Sequence, residues 1–351
     1  MEFVFTDEQG MIGETAKAFF AENATSERTR KAMAAKGVDA ELWTSFCTEL
    51  GLAGVGLPEA AGGAGLGMVE FAIIAEAAGA QVAPLPLLGL ATVGQALAAG
   101  GSDAQQSAWL PKLIAGETIA SFAETEDLSA ANGALSGTVR FVPHGASAGL
   151  FLIASPQGAW LVEAGAAGLL VEAHVTMDQT RPFATLTLAN VAAEPLADAA
   201  AGLAAARAGG WICLAAEALG GAQTTLDRTV AYAKERIQFG RPIGSFQAYK
   251  HRLADMMVEI EQARSAVYWA ACAVDEGSDE AALALHAAKS FAADTYFKCA
   301  ADMIQLHGGI GFTWEHDAHL FFKRARAIQS LLGAGNWHRE EVAKMILGDA
   351  A

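Results

Sequence analysis

The sequence predicts a mainly α-helical protein that contains one small β domain, and three observations lead to this fold class. First, 53% of the 351 residues are hydrophobic and only 18% are charged, so the chain can bury a sizeable core and form two or three packed units. Second, alanine and glycine are frequent, which favours close packing of helices. Third, the periodicity changes along the chain from helical to strand-like and back to helical.

Residues 1–117 are predicted to form an N-terminal α-helical domain. Two helix-like stretches, DEQGMIGETAKAFFAEN and MVEFAIIAEAAGA, are separated by the glycine- and proline-rich LPEAAGGAGLG at residues 57–67. The longest uncharged run, residues 77–102, contains Pro84 and Pro86 together with glutamines and glycines. Such a run makes a poor membrane span, so we expect a buried helix after a proline-containing loop.

Residues 118–200 are predicted to form the β domain, because short apolar runs (LFLIAS, WLVEA, GLLVEAHV and TLTLANV) are broken there by Gly, Pro and Asp. Residues 201–351 return to helical periodicity and are predicted to form a C-terminal α-helical bundle domain. Apolar residues there recur at alternating spacings of three and four, which places them on one packing face of a long helix. They are Phe246, Tyr249, Leu253, Met256, Ile260, Ala263 and Val267.

Charge and cysteine usage exclude several classes of protein. A formal net charge of −16 argues against a general binder of nucleic acid or of anionic membranes, although it leaves room for a local basic patch for phosphate groups. The start of the chain, MEFVFTDEQ, lacks the cationic and apolar regions of an export signal, so a cytoplasmic protein is expected. Without CxxC spacing or a His-rich context, the cysteines are interpreted as separate core or surface residues, and no metal site is expected. They are Cys47, Cys213, Cys272 and Cys299.

Two C-terminal motifs carry the strongest functional signal. They are RIQFGRPIGSFQAYKHRLADM at residues 236–256 and QLHGGIGFTWEHDAHLFFKRA at residues 305–325. With LGLAGVGLPEAAGGAGLGMVEFAIIAEAAGA, SFAETE and FVPHG, they make the whole chain resemble the acyl-CoA dehydrogenases. The resemblance implies an N-terminal helical domain, a middle β-sheet domain and a C-terminal four-helix bundle. It also implies FAD bound between the sheet domain of one subunit and the C-terminal domain of another, in a dimer or a dimer of dimers.

The resemblance implies that the C-terminal motifs hold the dinucleotide part of FAD. Arg236 would place forked donors against the pyrophosphate, Phe239 would pack near the adenosine, and backbone glycines would allow close approach. Taken alone, such an Arg is more often a surface ion-pair residue and GGIG a helix-terminating turn, but both at the family's spacing favour the cofactor. The candidate residues are Arg236, Gln238, Phe239, Gln247, Gln305, Gly308 and Gly309.

The half of the site that would hold the flavin ring is less well preserved. Thr125 matches the family's Thr-Glu-Pro stretch, but Asp127 stands where proline is expected. Phe141 replaces the tryptophan of the family's Trp-x-Thr turn and Pro143 replaces its threonine. Because proline has no donor, one flavin contact cannot be supplied in the usual way. Thr125 is therefore either a flavin contact or an ordinary strand or turn hydroxyl.

No acid stands at either position where the family places its catalytic base. The resemblance puts these positions at Leu332 and Gly210, and neither side chain accepts a proton. Glu217 projects from nearly the same helix face as Gly210, but it is displaced by about 10 Å along the helix. It is the one candidate for a replacement base, and a buried or interface hydrogen-bonding role is favoured over that.

Three further acids are given structural interpretations. Glu340 and Glu341 are expected on a solvated helix face. Asp178 is expected to be a turn or ion-pair residue of the β domain.

The leading hypothesis is a subunit that completes the FAD site of a related acyl-CoA dehydrogenase subunit. The chain resembles the shortened subunit of bacterial heteromeric, steroid-side-chain-type acyl-CoA dehydrogenases. The resemblance also implies an acyl-CoA substrate and allows electron-transfer flavoprotein as a partner. Two alternatives stay open: a self-sufficient dehydrogenase that uses an unusual base such as Glu217, and a flavin-free scaffold or acyl-CoA-binding protein.

Overall fold

The structure, a computed structural model, describes residues 5–348. The start of the segment from which we predict the absence of an export signal, residues 1–4, lies outside this range. The chain divides into two compact units, each built from separate stretches of sequence. The helical unit comprises Met1–Ser26, Met68–Ala83 and Trp211–Ala351, and the mixed unit comprises Glu27–Gly67 and Pro84–Gly210. The division into domains at residues 117 and 200 stays a prediction.

The mixed unit contains eight strands between residues 118 and 200, where the sequence predicts a small β domain. One sheet has the strand order β1-β4-β5-β8 and the other the order β2-β3-β7-β6. The β1–β4 pair is parallel and the remaining pairs of both sheets are antiparallel. The strands are β1 (Ala120–Glu124), β2 (Leu128–Ala131), β3 (Ala134–Pro143), β4 (Leu150–Ser155), β5 (Gly158–Glu163), β6 (Leu169–Ala173), β7 (Phe183–Ala192) and β8 (Glu194–Pro195).

The two sheets share one hydrophobic core. Phe151 and Ile153 of one sheet and Leu186 and Val191 of the other belong to a single buried cluster, each at most 1% exposed. The register between β3 and β7 shifts between Val139 and Val142, which marks a bulge.

Short helices complete the mixed unit. Helix α2 (Ser26–Ala34) leads into it, followed by α3 (Ala40–Thr44), α5 (Leu87–Gly89), α6 (Gln95–Gly100) and α7 (Asp103–Ile114). A π-helical turn, Leu90–Gly94, joins α5 to α6. The helical stretch Leu87–Gly100 is largely buried, which confirms the predicted buried helix after a proline-containing loop.

The helical unit is built from long helices. They are α1 (Asp7–Asn23), α4 (Met68–Ala80), the C-terminal part of α8 (Ala199–Glu235), α9 (Gln247–Asp275), α10 (Ala281–His307), α11 (Ala318–Ser330) and α12 (Gly335–Leu347). Two short strands, β9 (Ile237–Gln238) and β10 (Arg241–Pro242), form a hairpin between α8 and α9. The mainly helical fold class with a small β region is therefore confirmed.

Sequence features explain how these helices pack. Met256, Ile260, Ala263 and Val267 are buried on one face of α9, as their spacing predicts. Helices α4 and α8 cross at glycine: a Cβ on Gly220 would lie 1.8 Å from the Glu76 carbonyl oxygen, so no larger residue fits there.

Helix α8 alone, within residues 5–348, is long and apolar enough to meet a length-and-composition test for a membrane span. Its most apolar window is 56% buried inside the protein. A core helix of a globular protein passes the same test.

Candidate cofactor surface and base positions

The predicted cofactor residues of the C-terminal region lie at one end of the helical unit, where α8 ends, α9 begins and α10 ends. The backbone N–H of Arg236 donates to the Tyr232 carbonyl at 2.8 Å. Tyr249, in the first turn of α9, donates its hydroxyl to the Leu306 carbonyl at 2.8 Å. The rings of Tyr232 and His307 stack with centroids 4.4 Å apart, and burial lowers the pKa of His307. These contacts hold the two C-terminal motifs side by side.

The β9–β10 hairpin presents a large aromatic side chain to water. Phe239 is 92% exposed and has a φ of +54°. Its ring makes an edge contact with Phe246 at 6.1 Å, and the Arg241 guanidinium lies 4.1 Å from the centre of the same Phe246 ring. A left-handed conformation costs a non-glycine residue on the order of 1 to 3 kcal/mol and is typical of binding sites. Phe239 therefore has the properties of a contact residue for something outside its own chain.

The glycines after α10 leave the backbone accessible. Gly308 has a φ of +65°, so the turn itself requires glycine there. Gly309 has no such φ, and no heavy atom of the described residues lies within 4 Å of a Cβ placed at either glycine. Nothing inside the described chain therefore explains why residue 309 is small, whereas a group that approaches the backbone from outside would explain it.

The polar side chains around these glycines are also exposed. Arg236, Gln247 and Gln305 make no side-chain hydrogen bond or ion pair within residues 5–348, and Gln238 donates only to the Ile237 carbonyl, at 2.8 Å. A guanidinium and neutral amides that face water can donate to phosphate oxygens. The donor set and the open glycine backbone therefore fit the pyrophosphate part of a dinucleotide.

In the mixed unit, the residues predicted near the flavin ring are engaged locally. The Thr125 hydroxyl donates to the Thr138 carbonyl at 3.1 Å and accepts from the Asp127 backbone N–H at 3.1 Å. This is the geometry of a turn hydroxyl, the alternative interpretation of Thr125. Phe141 lies in the β3 bulge with a φ of +58° and is 68% exposed, while the Pro143 carbonyl accepts from Ser121 at 2.6 Å.

A cavity of about 400 Å³ lies beside Thr125. Its walls include Glu126 and an ion pair in which Arg207 Nη2 lies 2.6 Å from Glu124 Oε1. Arg207 precedes Gly210 by three residues on α8, so the two positions share a helix face. Charged side chains therefore line the cavity beside the predicted flavin contact, and one of them, Arg207, lies on the α8 face that carries Gly210.

At the other base position, the backbone of Leu332 is held by hydrogen bonds. Leu332 lies between α11 and α12 with a φ of +51°. Its carbonyl oxygen accepts from Trp211 Nε1 at 2.7 Å and interacts with His338 Nε2 at 3.2 Å. We call residues 331–334 the Leu332 turn. No carboxylate replaces the missing base within these contacts.

The buried carboxylate of Glu217 is part of an ion pair and is not available as a base. Glu217 and Arg324 are each 3% exposed in their side chains, and Arg324 Nη1 lies 3.8 Å from Glu217 Oε2. This pairing supports the favoured interpretation, a buried structural carboxylate, over a role as base.

The other acids have the surroundings that the sequence suggests. Glu340 is exposed, and Glu341 accepts from Lys344 at 2.9 Å on α12. Asp178 is buried and accepts from the Thr180 backbone N–H at 2.9 Å, as a turn residue does.

Sequence reasoning missed a buried polar cluster around the Leu332 turn. His286 and His338 contact each other through their Nδ1 atoms at 2.9 Å, and they are 6% and 0% exposed. Lys289, which is 0% exposed, donates to the carbonyls of Ile328 at 3.0 Å and Gly333 at 3.4 Å. Burial lowers the pKa of Lys289 to about 8 and that of His338 to about 3, and it also lowers the pKa of His286. The two histidines are 52 residues apart, and no motif links them.

The cysteines of the described chain are all free, and Cys272 alone among them is partly exposed. Burial raises the pKa of both Cys47 and Cys299 to about 12, so neither is a reactive thiolate at neutral pH. Within residues 5–348, no group of three or more His, Cys, Asp or Glu side chains is arranged to hold a metal ion.

The fold and the end of the helical unit define a flavoprotein-dehydrogenase type of architecture, and comparison with known proteins identifies the family. The N-terminal domain of acyl-CoA dehydrogenases matches residues 6–117, and their C-terminal domain matches residues 208–347. The chain is 36% identical over 342 residues to acyl-CoA dehydrogenase IpdE2 of Mycolicibacterium smegmatis, which covers 93% of this chain and 95% of that protein. The chain therefore belongs to the acyl-CoA dehydrogenase family.

Two solved structures share the fold over nearly the whole chain. One is a variant of the Tcur3481-Tcur3483 steroid ACAD, with a TM-score of 0.88 and 32% identity over 98% of this chain and 99% of that one. The other is the ChsE4-ChsE5 complex from Mycobacterium tuberculosis, with a TM-score of 0.92 and 27% identity over 100% of both chains. The prediction of an acyl-CoA dehydrogenase-like fold, made from the C-terminal motifs, is confirmed.

Proposed function

We propose that this chain is a subunit of an FAD-dependent acyl-CoA dehydrogenase that completes the cofactor site of a related subunit and contributes no base of its own. The assembly is a cytoplasmic hetero-oligomer that oxidises the α,β bond of an acyl-CoA thioester. Electron-transfer flavoprotein is the electron acceptor that the family resemblance implies. One observation carries the proposal: the side chains of Arg236, Gln247 and Gln305 are exposed and without side-chain partners within residues 5–348, whereas both base positions lack an acid.

The residues at the end of the helical unit would act as a binding surface. Arg236 would donate in a forked geometry to the pyrophosphate, Gln247 and Gln305 would add neutral hydrogen bonds, and the backbone at Gly308 and Gly309 would approach the dinucleotide closely. Bound FAD supplies the acceptor for the β-hydride. The negative charge of the phosphates would meet a local cation on a chain whose net charge is −16.

Removal of the α-proton would fall to the partner subunit. A general base contributes about 10² to 10⁴ in rate, and leucine and glycine at the two base positions cannot accept a proton. The buried pairing of Glu217 with Arg324 speaks against the alternative of a self-sufficient enzyme, because the carboxylate already has a cationic partner.

The relatives support the heteromeric assembly and suggest a substrate class. One structural neighbour, at 32% identity, is the Tcur3481-Tcur3483 steroid ACAD, and another is the ChsE4-ChsE5 complex. We therefore propose a steroid-derived acyl-CoA as the substrate of the assembly.

Co-expression with a related catalytic subunit tests the proposal. The purified mixed complex should be yellow and should bleach anaerobically with acyl-CoA, whereas this chain alone should be inactive. Native mass and flavin content give the composition of the complex. The variant Arg236→Ala should lose FAD from the mixed complex, while Arg326→Ala, which removes an exposed arginine on α11, should retain it.

Two results would contradict the proposal. A homo-oligomer of this chain that binds FAD fully and turns over acyl-CoA would indicate a self-sufficient enzyme, and loss of that activity in Glu217→Gln would identify its base. A colourless complex that stays free of flavin after co-expression would indicate a scaffold or an acyl-CoA-binding protein.

A further inference from the structure

The Leu332 turn is held by side chains from three helices. Its carbonyl at Leu332 accepts from the indole of Trp211 on α8 and contacts His338 on α12. Its carbonyl at Gly333 accepts from Lys289 on α10. The donors are at most 8% exposed, so water does not compete for these bonds. Four-residue turns of this kind are ordinarily free to move on the surface, and this one is fixed by buried side chains.

The positions of the hydrogens on His286 and His338 follow from the Leu332 carbonyl, which His338 contacts. A carbonyl oxygen can only accept, so Nε2 of His338 must carry a hydrogen. Neutral His338 then has a bare Nδ1, and the hydrogen between the two Nδ1 atoms, 2.9 Å apart, must come from His286. The direction of donation therefore runs from His286 to His338 and on to the Leu332 carbonyl.

We propose that His286, His338 and Trp211 are positioning residues that fix the Leu332 turn, Trp211 by its direct hydrogen bond and the two histidines through a relay of two neutral imidazoles. The relay is a property of this chain alone. Its meaning for catalysis rests on the proposed function, since the turn carries the position where the family's base would stand. The relay holds Leu332, an apolar residue, rigidly at the position where the family has a proton acceptor.

The number of protons on the two imidazole rings decides whether the hydrogen bond between them can form. The bond between the two Nδ1 atoms needs one hydrogen, so a single added proton leaves it intact, whereas two imidazolium rings would point hydrogens at each other. The charged groups around the pair act in opposite directions. Lys289 on α10 disfavours protonation of His338, Glu341 on α12 favours protonation of His286, and Asp294 favours the charged form of Lys289.

The hydrogen positions are tested by nitrogen-15 NMR of histidine side chains in the purified chain at pH 7. We expect a protonated Nε2 and a bare Nδ1 on His338, and a protonated Nδ1 on His286. The opposite tautomers, or a doubly protonated ring at pH 7, would overturn the relay. This measurement needs no flavin, substrate or partner, so its failure is distinct from failure of the proposed function.

Matched substitutions test the positioning role by hydrogen exchange of the backbone amides in residues 328–338. His286→Leu removes the donor and should speed exchange by about tenfold, the effect of losing one buried hydrogen bond. His286→Asn keeps an N–H close to the place of Nδ1 and should restore slow exchange. His251→Leu, at an exposed histidine of α9, is the control and should change nothing. Equal exchange in the Leu and Asn variants would show that packing alone fixes the turn.

Discussion

The surface at the end of α10 and the Leu332 turn differ in how their polar groups are used. At the end of α10, Arg236, Gln247 and Gln305 have no side-chain partner within residues 5–348, and the glycine backbone is open. In the Leu332 turn, buried donors satisfy the carbonyls of residues 332 and 333, and the histidines satisfy each other. Free donors on a rigid frame suit binding, whereas satisfied and buried groups suit stability. The polar groups of the first region are therefore available to a binding partner, whereas those of the second region are not.

Substitution of one glycine in each region gives the sharpest test of this difference. A Cβ at Gly333 would lie 2.5 Å from the Trp337 ring, and its φ is +103°. Gly333→Ala should therefore lower the free energy of unfolding by about 4 kcal/mol, from backbone strain and overpacking together. Gly309→Ala, which meets nothing within 4 Å, should change it by less than about 0.5 kcal/mol. Urea denaturation of both variants measures this, and equal losses would remove the contrast.

The buried Lys289 should give the chain an unusual dependence of stability on alkaline pH. Its pKa is about 8 when folded, against an ordinary value of 10.5 that applies when the chain unfolds. The unfolded state therefore binds more protons between these values, so the free energy of unfolding should rise with pH. The gain is about 2 kcal/mol between pH 8 and pH 10.

Comparison with Lys289→Met isolates this contribution from other groups, because the variant keeps every other titrating side chain. The free energy of unfolding of the wild-type protein, minus that of the Lys289→Met variant, should rise between pH 8 and pH 10. A difference that stays flat with pH would mean that burial does not lower the pKa of Lys289, so that the lysine stays charged in the folded protein across this range.

Acid should lower the free energy of unfolding through His338, although the folded ring itself stays neutral between pH 6.5 and pH 5. The folded pKa of about 3 lies below the ordinary 6.5, so the neutral ring contributes stability that is present above pH 6.5 and lost as pH falls. The loss from His338 is about 1.5 kcal/mol between pH 6.5 and pH 5. His338→Gln keeps a donor near the place of Nε2 but does not titrate, and it should flatten this part of the stability curve. Thermal or urea unfolding at both pH values measures it, and parallel curves for the two proteins would contradict the assignment.

The smallest effect is expected at the Arg207–Glu124 ion pair beside Thr125. Its side chains are 45% and 39% exposed, so Arg207→Ala should cost less than about 1 kcal/mol of stability, and high salt should remove most of the difference. Arg236→Ala, at a side chain with no partner in residues 5–348, should cost the isolated chain nothing measurable. A loss for Arg236→Ala as large as that for Arg207→Ala would indicate a contact within the chain and weaken the case for a binding surface.

The parts of the fold that follow from neighbouring residues could be predicted from the sequence. The apolar stripe of α9 is a local pattern, and Met256, Ile260, Ala263 and Val267 are buried as that pattern requires. The four short apolar runs coincide with β4, β5, β6 and β7, although the sequence does not state which strands pair. The parallel pairing of β1 with β4 depends on a register that only the folded chain specifies.

Candidate site residues that stand alone could be named from the sequence, and their binding role stays a prediction, whereas residues that act in pairs could not be found. Exposed Arg236 and Phe239 could be named from a motif, because nothing else in their own chain is needed to place them. The partners of Glu217 and His286 come from distant helices, and periodicity cannot tell which side chains meet across a core. The histidine relay was missed for this reason, and the role of Thr125 stayed open because its hydroxyl is shared with Thr138 of the neighbouring strand.

The exposure of Phe239 has a consequence for the life of the protein in the cell. In a newly made copy the Phe239 residue is 92% exposed to water, and Phe312 and Trp314 of the same unit are 84% and 60% exposed. Aromatic groups in water are features that chaperones and proteases bind, so an orphan copy should be cleared faster than an assembled one. The abundance of this chain would then follow the supply of whatever covers the Phe239 ring, and depletion of the proposed partner subunit should lower the level of this chain without any change in its synthesis.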